Sequence, residues 1–194
     1  TSDPEDPRSQ ITLGHLLSFT SGFAGSPLEV RCVNRARSDL DACSRELYDE
    51  HFLYEVPGQT YHYGPAHLHV AGLMAQEATG RSWNELFFAE VVAPLDLDER
   101  TAYTVASEDH PRVAGGISTT GEAYAEFLRA QLAGDYLAEQ LEVMAVDRTP
   151  SGQVTIASSP LTAAGREWHY GYGLWRECSG DTFTEACAEH VRIS

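Results

Sequence analysis

The side chains best placed for chemistry lie in residues 57–72, Pro-Gly-Gln-Thr-Tyr-His-Tyr-Gly-Pro-Ala-His-Leu-His-Val-Ala-Gly. Pro57-Gly58 is a turn signal, a short aromatic segment follows, and a helix begins after it. Tyr63 therefore stands at a helix mouth, where a phenol can face a cleft. His62, His67 and His69 invite a metal reading. However, positions 67 and 69 are i,i+2 and point to different helix faces, and no H-E-x-x-H occurs. They read as surface or capping histidines, and no metal or other cofactor is expected. Ser18 and Ser21 are poor candidates for a nucleophile, because no G-x-S-x-G elbow surrounds them and no base partner follows from spacing. All 13 basic residues are arginine. Chemistry that needs a lysine ammonium, amine or Schiff base is excluded within this chain.

The elements that must position these groups follow from caps and periodicity. Thr12 is a good N-cap for a helix over residues 13–19 that Thr20-Ser21-Gly22 stops. Residues 23–45 read as irregular, with a helical segment at 44–52. The helix over 66–78 places Leu68, Ala71, Gly72 and Ala75 on one side, with Leu73 and Met74 beside them, and Gly80 ends it. Ser82-x-x-Glu85 is a capping box that opens a helix over 83–92. Residues 95–114 read as a loop. Thr119-x-x-Glu122 opens the most amphipathic helix, with Ala123, Tyr124, Phe127, Leu128 and Leu132 inward and Gly134 as its stop. A further helix is expected over 136–146 and a short strand over 154–156. Tyr170-Gly171-Tyr172-Gly173-Leu174-Trp175 alternates small and aromatic residues as a strand does. Residues 170–187 then read as a hairpin. Trp168, Tyr170, Tyr172 and Trp175 are expected to pack a sheet against helices, although they could also line a cleft beside Tyr63.

Composition bounds the answer. The 194 residues carry a formal charge of -16, from 29 acidic and 13 basic side chains. Such a field repels phosphate backbones and anionic lipid heads, so no nucleic-acid partner is expected. No apolar run is long enough to span a membrane. The four cysteines form two close pairs. Two local disulfides, Cys32–Cys43 and Cys178–Cys187, are the economical reading, although three pairings exist and four buried thiols are the alternative. Zinc is disfavoured by the spacing. Disulfides would give about 2–3 kcal/mol each and point to an oxidising location: secreted, periplasmic or extracellular.

In its order of segments the chain resembles the serine β-lactamase, penicillin-binding and D-alanyl-D-alanine-peptidase-like hydrolases, including their class C and esterase branches. Four stretches carry the resemblance. They are Ile11 through Gly22; Pro57 through Gly72; Ala78-Thr79-Gly80-Arg81-Ser82-Trp83 with Ala93-Pro94-Leu95-Asp96-Leu97; and Ala114-Gly115-Gly116-Ile117-Ser118-Thr119-Thr120 with Tyr124-Ala125-Glu126-Phe127. Tyr172-Gly173-Leu174 fits the strand that follows.

The resemblance implies an acyl-enzyme mechanism built from a Ser-x-x-Lys, a Tyr-x-Asn, and a late Lys-Thr-Gly or His-x-Gly strand. It places Tyr63 at the tyrosine position, as the catalytic residue of this chain. A phenol has an ordinary pKa of about 10 and acts as a base at neutral pH only where cations stabilise the phenolate. Pro65 stands where the family has asparagine, and no Ser-x-x-Lys is present. The expectation is therefore an internal fragment, inactive by itself, of a longer serine hydrolase. Its fold class would be α+β: one domain or fragment, mainly helical over 1–150, with strands of an incomplete sheet over 151–194. The parent would take a small-molecule or peptide substrate, and the remaining segments of the same protein would be partners. The alternative is a non-catalytic binding or interaction module derived from that fold.

Overall fold

Helix starts are written locally and the structure uses most of them. The structure, a computed structural model, describes residues 3–50, 53–161, 168–177 and 191–193. Its helices are α1 (Leu13–Leu17), α2 (Pro27–Val33), α3 (Leu40–Arg45), α4 (Ala66–Thr79), α5 (Trp83–Phe87), α6 (Gly121–Ala133) and α7 (Ala138–Met144). Its strands are β1 (Thr60–His62), β2 (Ala102–Tyr103), β3 (Ile117–Ser118), β4 (Thr155–Ser158), β5 (Trp168–Tyr170), β6 (Leu174–Glu177) and β7 (Val191–Ile193). Wider π-type turns extend α3 through Glu50 and α5 through Val92. The class is α+β.

Thr12 caps α1 by accepting from the His15 N–H, and Ser82 and Glu85 form the reciprocal capping box of α5. At α6 the cap is Thr120, which accepts from the Ala123 N–H, and not Thr119. Thr119 instead hydrogen-bonds the Thr101 hydroxyl at 2.8 Å. The inward stripe of α6 is also corrected. Ala123 and Gln131 are buried, whereas Tyr124 is 48% and Leu132 87% exposed. Residues 23–45 are not irregular: they hold α2 and α3, the latter capped by Asp39 on the Ala42 N–H. Leu40, Cys43 and Ser44 face inward, a spacing that the dense charge of the region hid.

The chain forms two compact units. One comprises Thr1–Ser26, Phe52–His67 and Glu139–Ser194; the other comprises Pro27–His51 and Leu68–Ala138. In the first unit β1 pairs with β4 in parallel, Thr60 opposite Thr155. Strands β5, β6 and β7 form an antiparallel sheet in that order. The expected strand over 170–175 is two strands joined by a turn. Trp168 faces Glu177 and Tyr170 faces Trp175, with Gly171-Tyr172-Gly173 between them. Gly171 is needed because a Cβ there would run into the Met144 carbonyl. Of the expected hairpin over 170–187, residues 178–187 lie outside the described residues, as does the expected Cys178–Cys187 pair.

The core of the first unit is aromatic: Phe19, Phe23, Tyr61, Trp168, Tyr170 and Trp175 are buried with Leu16 and Leu174. Burying each such side chain gives about 1.5–3 kcal/mol. In the second unit Val33, Leu40, Leu47, Val70, Ala71 and Val92 are buried, and Cys32 and Cys43 are joined as a disulfide.

Candidate active site

Tyr63 is set by the segments on either side of it. The Gly58 N–H donates to the Thr20 carbonyl at 2.7 Å, and the His62 N–H to the Phe19 carbonyl at 3.0 Å. On the other edge the Tyr63 N–H donates to the Ser158 carbonyl at 2.9 Å, continuing the β1–β4 pairing. Gly64 lets the backbone close in: a Cβ at that position would stand 3.0 Å from the Gly25 Cα. The Tyr63 ring lies edge-on to Phe19 at 5.2 Å between centroids and stacked on Trp175 at 5.8 Å. The residue is 46% exposed. The ring is thus held on two sides while the residue stays open to solvent.

Phe19 is the prop, and its backbone is unusual. The Phe19 N–H donates to the Leu16 carbonyl and the Thr20 N–H to the His15 carbonyl, which closes α1 in a Schellman motif. The central residue of that motif is normally glycine, yet Phe19 takes φ 57°. A non-glycine residue in the left-handed region costs about 1–3 kcal/mol and persists where its surroundings over-determine it. Here its ring contacts Tyr61, Tyr63, His67 and Tyr170 together.

Ser21 and His67 form a pair that spacing could not show. The Ser21 hydroxyl and the His67 Nδ1 are 2.8 Å apart, and the His67 Nε2 is 2.9 Å from the His62 carbonyl. A carbonyl only accepts, so Nε2 carries the proton and Nδ1 accepts from Ser21. The bond directions are those of a nucleophile and its base, but both side chains have no exposure. Burial pushes the His67 pKa down to about 3, against the opposing effect of its bond to the His62 backbone. No substrate reaches this hydroxyl, and the pair is structural. Ser18 is also buried and spends its hydroxyl on the Gly14 carbonyl at 2.7 Å and on Thr20 at 2.9 Å.

The expectation of surface histidines is overturned, since His67 and His69 are fully buried. The first turns of α4 are buried on more than one face, with Ala66, Val70 and Ala71 inside, so both histidines are interior although they point in different directions. His67 belongs with Ser21, and His69 with His110, at 5.6 Å between ring centroids.

The aromatic run is core packing, as expected, and one of its members also stacks on Tyr63. Trp168, Tyr170 and Trp175 are buried, and burial raises the phenols of Tyr61 and Tyr170 well above the ordinary range. Within this run Trp175 stacks on Tyr63. Tyr172 lies half-buried in the turn under the Arg148 guanidinium, 4.4 Å from the ring centroid. Beside it His169 Nδ1 meets the Asp147 carboxylate at 2.6 Å. Burial pushes the Asp147 carboxyl up, but hydrogen bonds from His169 and the Thr149 N–H, with the nearby charges of His169 and Arg176, hold it below the usual range.

The family model described as Beta-lactamase matches residues 2–187. Among solved structures, a protein from Bacteroides dorei DSM 17855 provisionally described as a beta-lactamase shares 26% identity with a TM-score of 0.74, over 91% of this chain and 56% of its own. The octameric penicillin-binding protein homologue from Pyrococcus abyssi shares 16% identity with a TM-score of 0.64, over 89% of this chain and 47% of its own. The D-amino acid amidase from Ochrobactrum anthropi SV3, complexed with L-phenylalanine, shares 19% identity with a TM-score of 0.65, over 91% of this chain and 56% of its own. No curated protein sequence matches the chain. The chain thus spans about half the length of these solved relatives. The profile match across the chain, the shared fold and the ordered helix, tyrosine and turn segments agree: this chain belongs to the β-lactamase family of hydrolases.

Proposed function

We propose that the chain is part of a serine hydrolase that works through an acyl-enzyme, with Tyr63 as the phenol that relays the proton between nucleophile and leaving group. The observation that carries this reading is the setting of Tyr63. It is an exposed phenol fixed by Phe19 and Trp175, on a segment pinned at both edges, and the sequence resemblance matches it to the family's tyrosine. The serine and its activating amine would come from a segment other than these residues, because no Ser-x-x-Lys and no lysine occur in them. On this reading the 194 residues alone do not turn over substrate. The substrate is a small amide or ester, and Pro65 in place of the amide-bearing asparagine disfavours a β-lactam. The Cys32–Cys43 disulfide supports a secreted or periplasmic location.

The test is covalent labelling of the full-length gene product with a fluorescent penicillin and with a p-nitrophenyl ester. Labelling by the ester, with a burst of p-nitrophenol, supports the proposal. A full-length product that forms no adduct with either reagent sinks it. A second reading, a binding module that has lost catalysis, is favoured by the absence of lysine and by Pro65. The same experiment would then give a folded, unlabelled protein.

A further inference from the structure

A second cluster of reactive side chains lies in the second unit. The Cys43 sulfur and one ring nitrogen each from His69 and His110 lie within 4.8 Å of one another. All three residues have no exposure. Each comes from a different, well-fixed piece of chain. Cys43 is on α3, where the neighbouring Ser44 hydroxyl donates to the His69 carbonyl at 2.9 Å. His69 is on α4. His110 is held in a tight loop, with the Ala106 and Ser107 N–H groups donating to its carbonyl and its own N–H donating to the Ser107 hydroxyl at 3.1 Å. The two imidazoles meet at 80°, converging rather than stacking.

The tautomer of His110 is fixed by its partner. Its Nδ1 is 2.8 Å from the Arg35 carbonyl. A carbonyl only accepts, so Nδ1 carries the proton and the lone pair of the neutral ring is on Nε2. That Nε2 is buried and has no hydrogen-bond partner among the described residues. Leaving a buried acceptor unmet is costly. A metal-bound imidazole characteristically donates its other N–H to a backbone carbonyl, as His110 does.

The Cys32 sulfur is bonded to that of Cys43. Opening this bond leaves the Cys43 thiol beside the two imidazoles, while Cys32 stands outside that group and its freed thiol has to turn inward to become a fourth donor. Ligand atoms held about 2.0–2.3 Å from one ion stand roughly 3.3–3.8 Å apart, so three donors within 4.8 Å converge on an ion with shifts of roughly half an ångström each. Two thiolates and two neutral imidazoles around a divalent cation make a site of zero net charge, which an apolar interior tolerates.

We propose that the reduced chain binds one zinc ion through Cys32, Cys43, His69 and His110, as a closed structural site that the disulfide and the metal occupy in alternation. A dithiol reductant gives two electrons and two protons to the Cys32–Cys43 bond and is itself oxidised to a disulfide. Zinc then displaces the two thiol protons to solvent and takes the histidine lone pairs. With four protein ligands there is no open position, so the ion holds α3, α4 and the His110 loop together and performs no catalysis. The inference is independent of Tyr63 and reverses the expectation, drawn from spacing alone, that the chain holds no metal.

The test uses the full chain carrying Cys178→Ser and Cys187→Ser, so that only Cys32 and Cys43 supply thiols. It is reduced with a phosphine, which leaves as its oxide after taking oxygen from water. Titration with zinc, desalting and elemental analysis should give one zinc per reduced chain and less than about a tenth of that for the oxidised chain. Cobalt in place of zinc should show thiolate charge transfer and tetrahedral ligand-field bands. His69→Ala and His110→Ala should each weaken zinc binding at least about tenfold. A reduced chain that retains no zinc overturns the proposal, as does equal binding by the oxidised chain or unchanged affinity after both histidine replacements. The cobalt spectrum needs no histidine variant, so a variant that fails to fold does not shelter the proposal.

Discussion

The Ser21 hydroxyl donates to His67 Nδ1 at 2.8 Å with both residues fully buried, and that bond ties the Pro57–Gly72 segment to the turn after α1. Ser21→Ala leaves the His67 lone pair buried and unmet. We expect a loss of about 1–3 kcal/mol in urea unfolding. An equal loss of ester-labelling rate at a temperature where the variant is folded would count against the structural role.

His67 also predicts an acid-side loss of stability. Its folded pKa is about 3, while in the unfolded chain the imidazole titrates near the ordinary 6.5. Between those values the unfolded state binds the proton and the folded state does not. The contribution of His67 is therefore whole above about pH 6.5 and falls as the pH drops toward 3. One such group accounts for at most about 1.4 kcal/mol per pH unit. Stability measured from pH 8 to 4 should slope less in His67→Gln than in the parent chain. Identical slopes would mean that the folded state protonates His67 readily.

Asp147 titrates with the same sense in a lower window. Its folded pKa lies below the usual carboxylate value, so its contribution is present above about pH 3.9 and is lost as the pH falls further, through the folded value. Asp147→Asn should cost about 1 kcal/mol at neutral pH, a modest figure because the carboxylate is partly exposed. The difference from the parent chain should narrow under strongly acid conditions in the same titration.

Replacing Tyr63 separates chemistry from packing. Tyr63→Phe keeps the ring against Phe19 and Trp175 and removes only the hydroxyl. In the full-length protein the acylation rate should fall about 100-fold or more, with stability within about 0.5 kcal/mol of the parent. Acylation at the parent rate would remove Tyr63 from the mechanism.

Two glycines predict opposite outcomes for one substitution. At Gly171 an added methyl meets the Met144 backbone carbonyl, so Gly171→Ala should cost about 3 kcal/mol or more. Gly121 opens α6 with none of the described residues within 4 Å of the same position, so Gly121→Ala should gain about 0.5–1 kcal/mol. Thermal unfolding of the two variants side by side reads both.

The local part of this fold was legible. Thr12, Ser82 and Gly80 mark helix ends by chemistry that acts over three or four residues. The tyrosine segment and its turn were equally plain. Thr119 misled because two adjacent threonines can each cap, and the Thr101 hydroxyl captured the first. Tyr124 and Leu132 misled because a hydrophobic stripe shows which face could be buried, while the surrounding segments decide which is. The partnerships Ser21–His67, Asp147–His169 and His69–His110 join residues far apart in sequence and have no local signature. Only the fold creates them, and it also turned the surface histidines of the sequence reading into interior ones.

The pairing of Thr60 with Thr155 governs when the first unit can form. Strand β1 gains its partner only after β4 has been synthesised; Pro27–His51 has emerged before β1, and all of Leu68–Ala138 emerges between the two strands. Closing so long an intervening stretch carries an entropy cost before any ladder bond repays it. On a translating ribosome the second unit can thus complete its disulfide and helices while Tyr63 still lacks the Ser158 carbonyl that its backbone N–H will engage. The platform for the tyrosine is among the last features of the chain to be assembled, and a polypeptide cut short before Ser158 would carry Tyr63 without it.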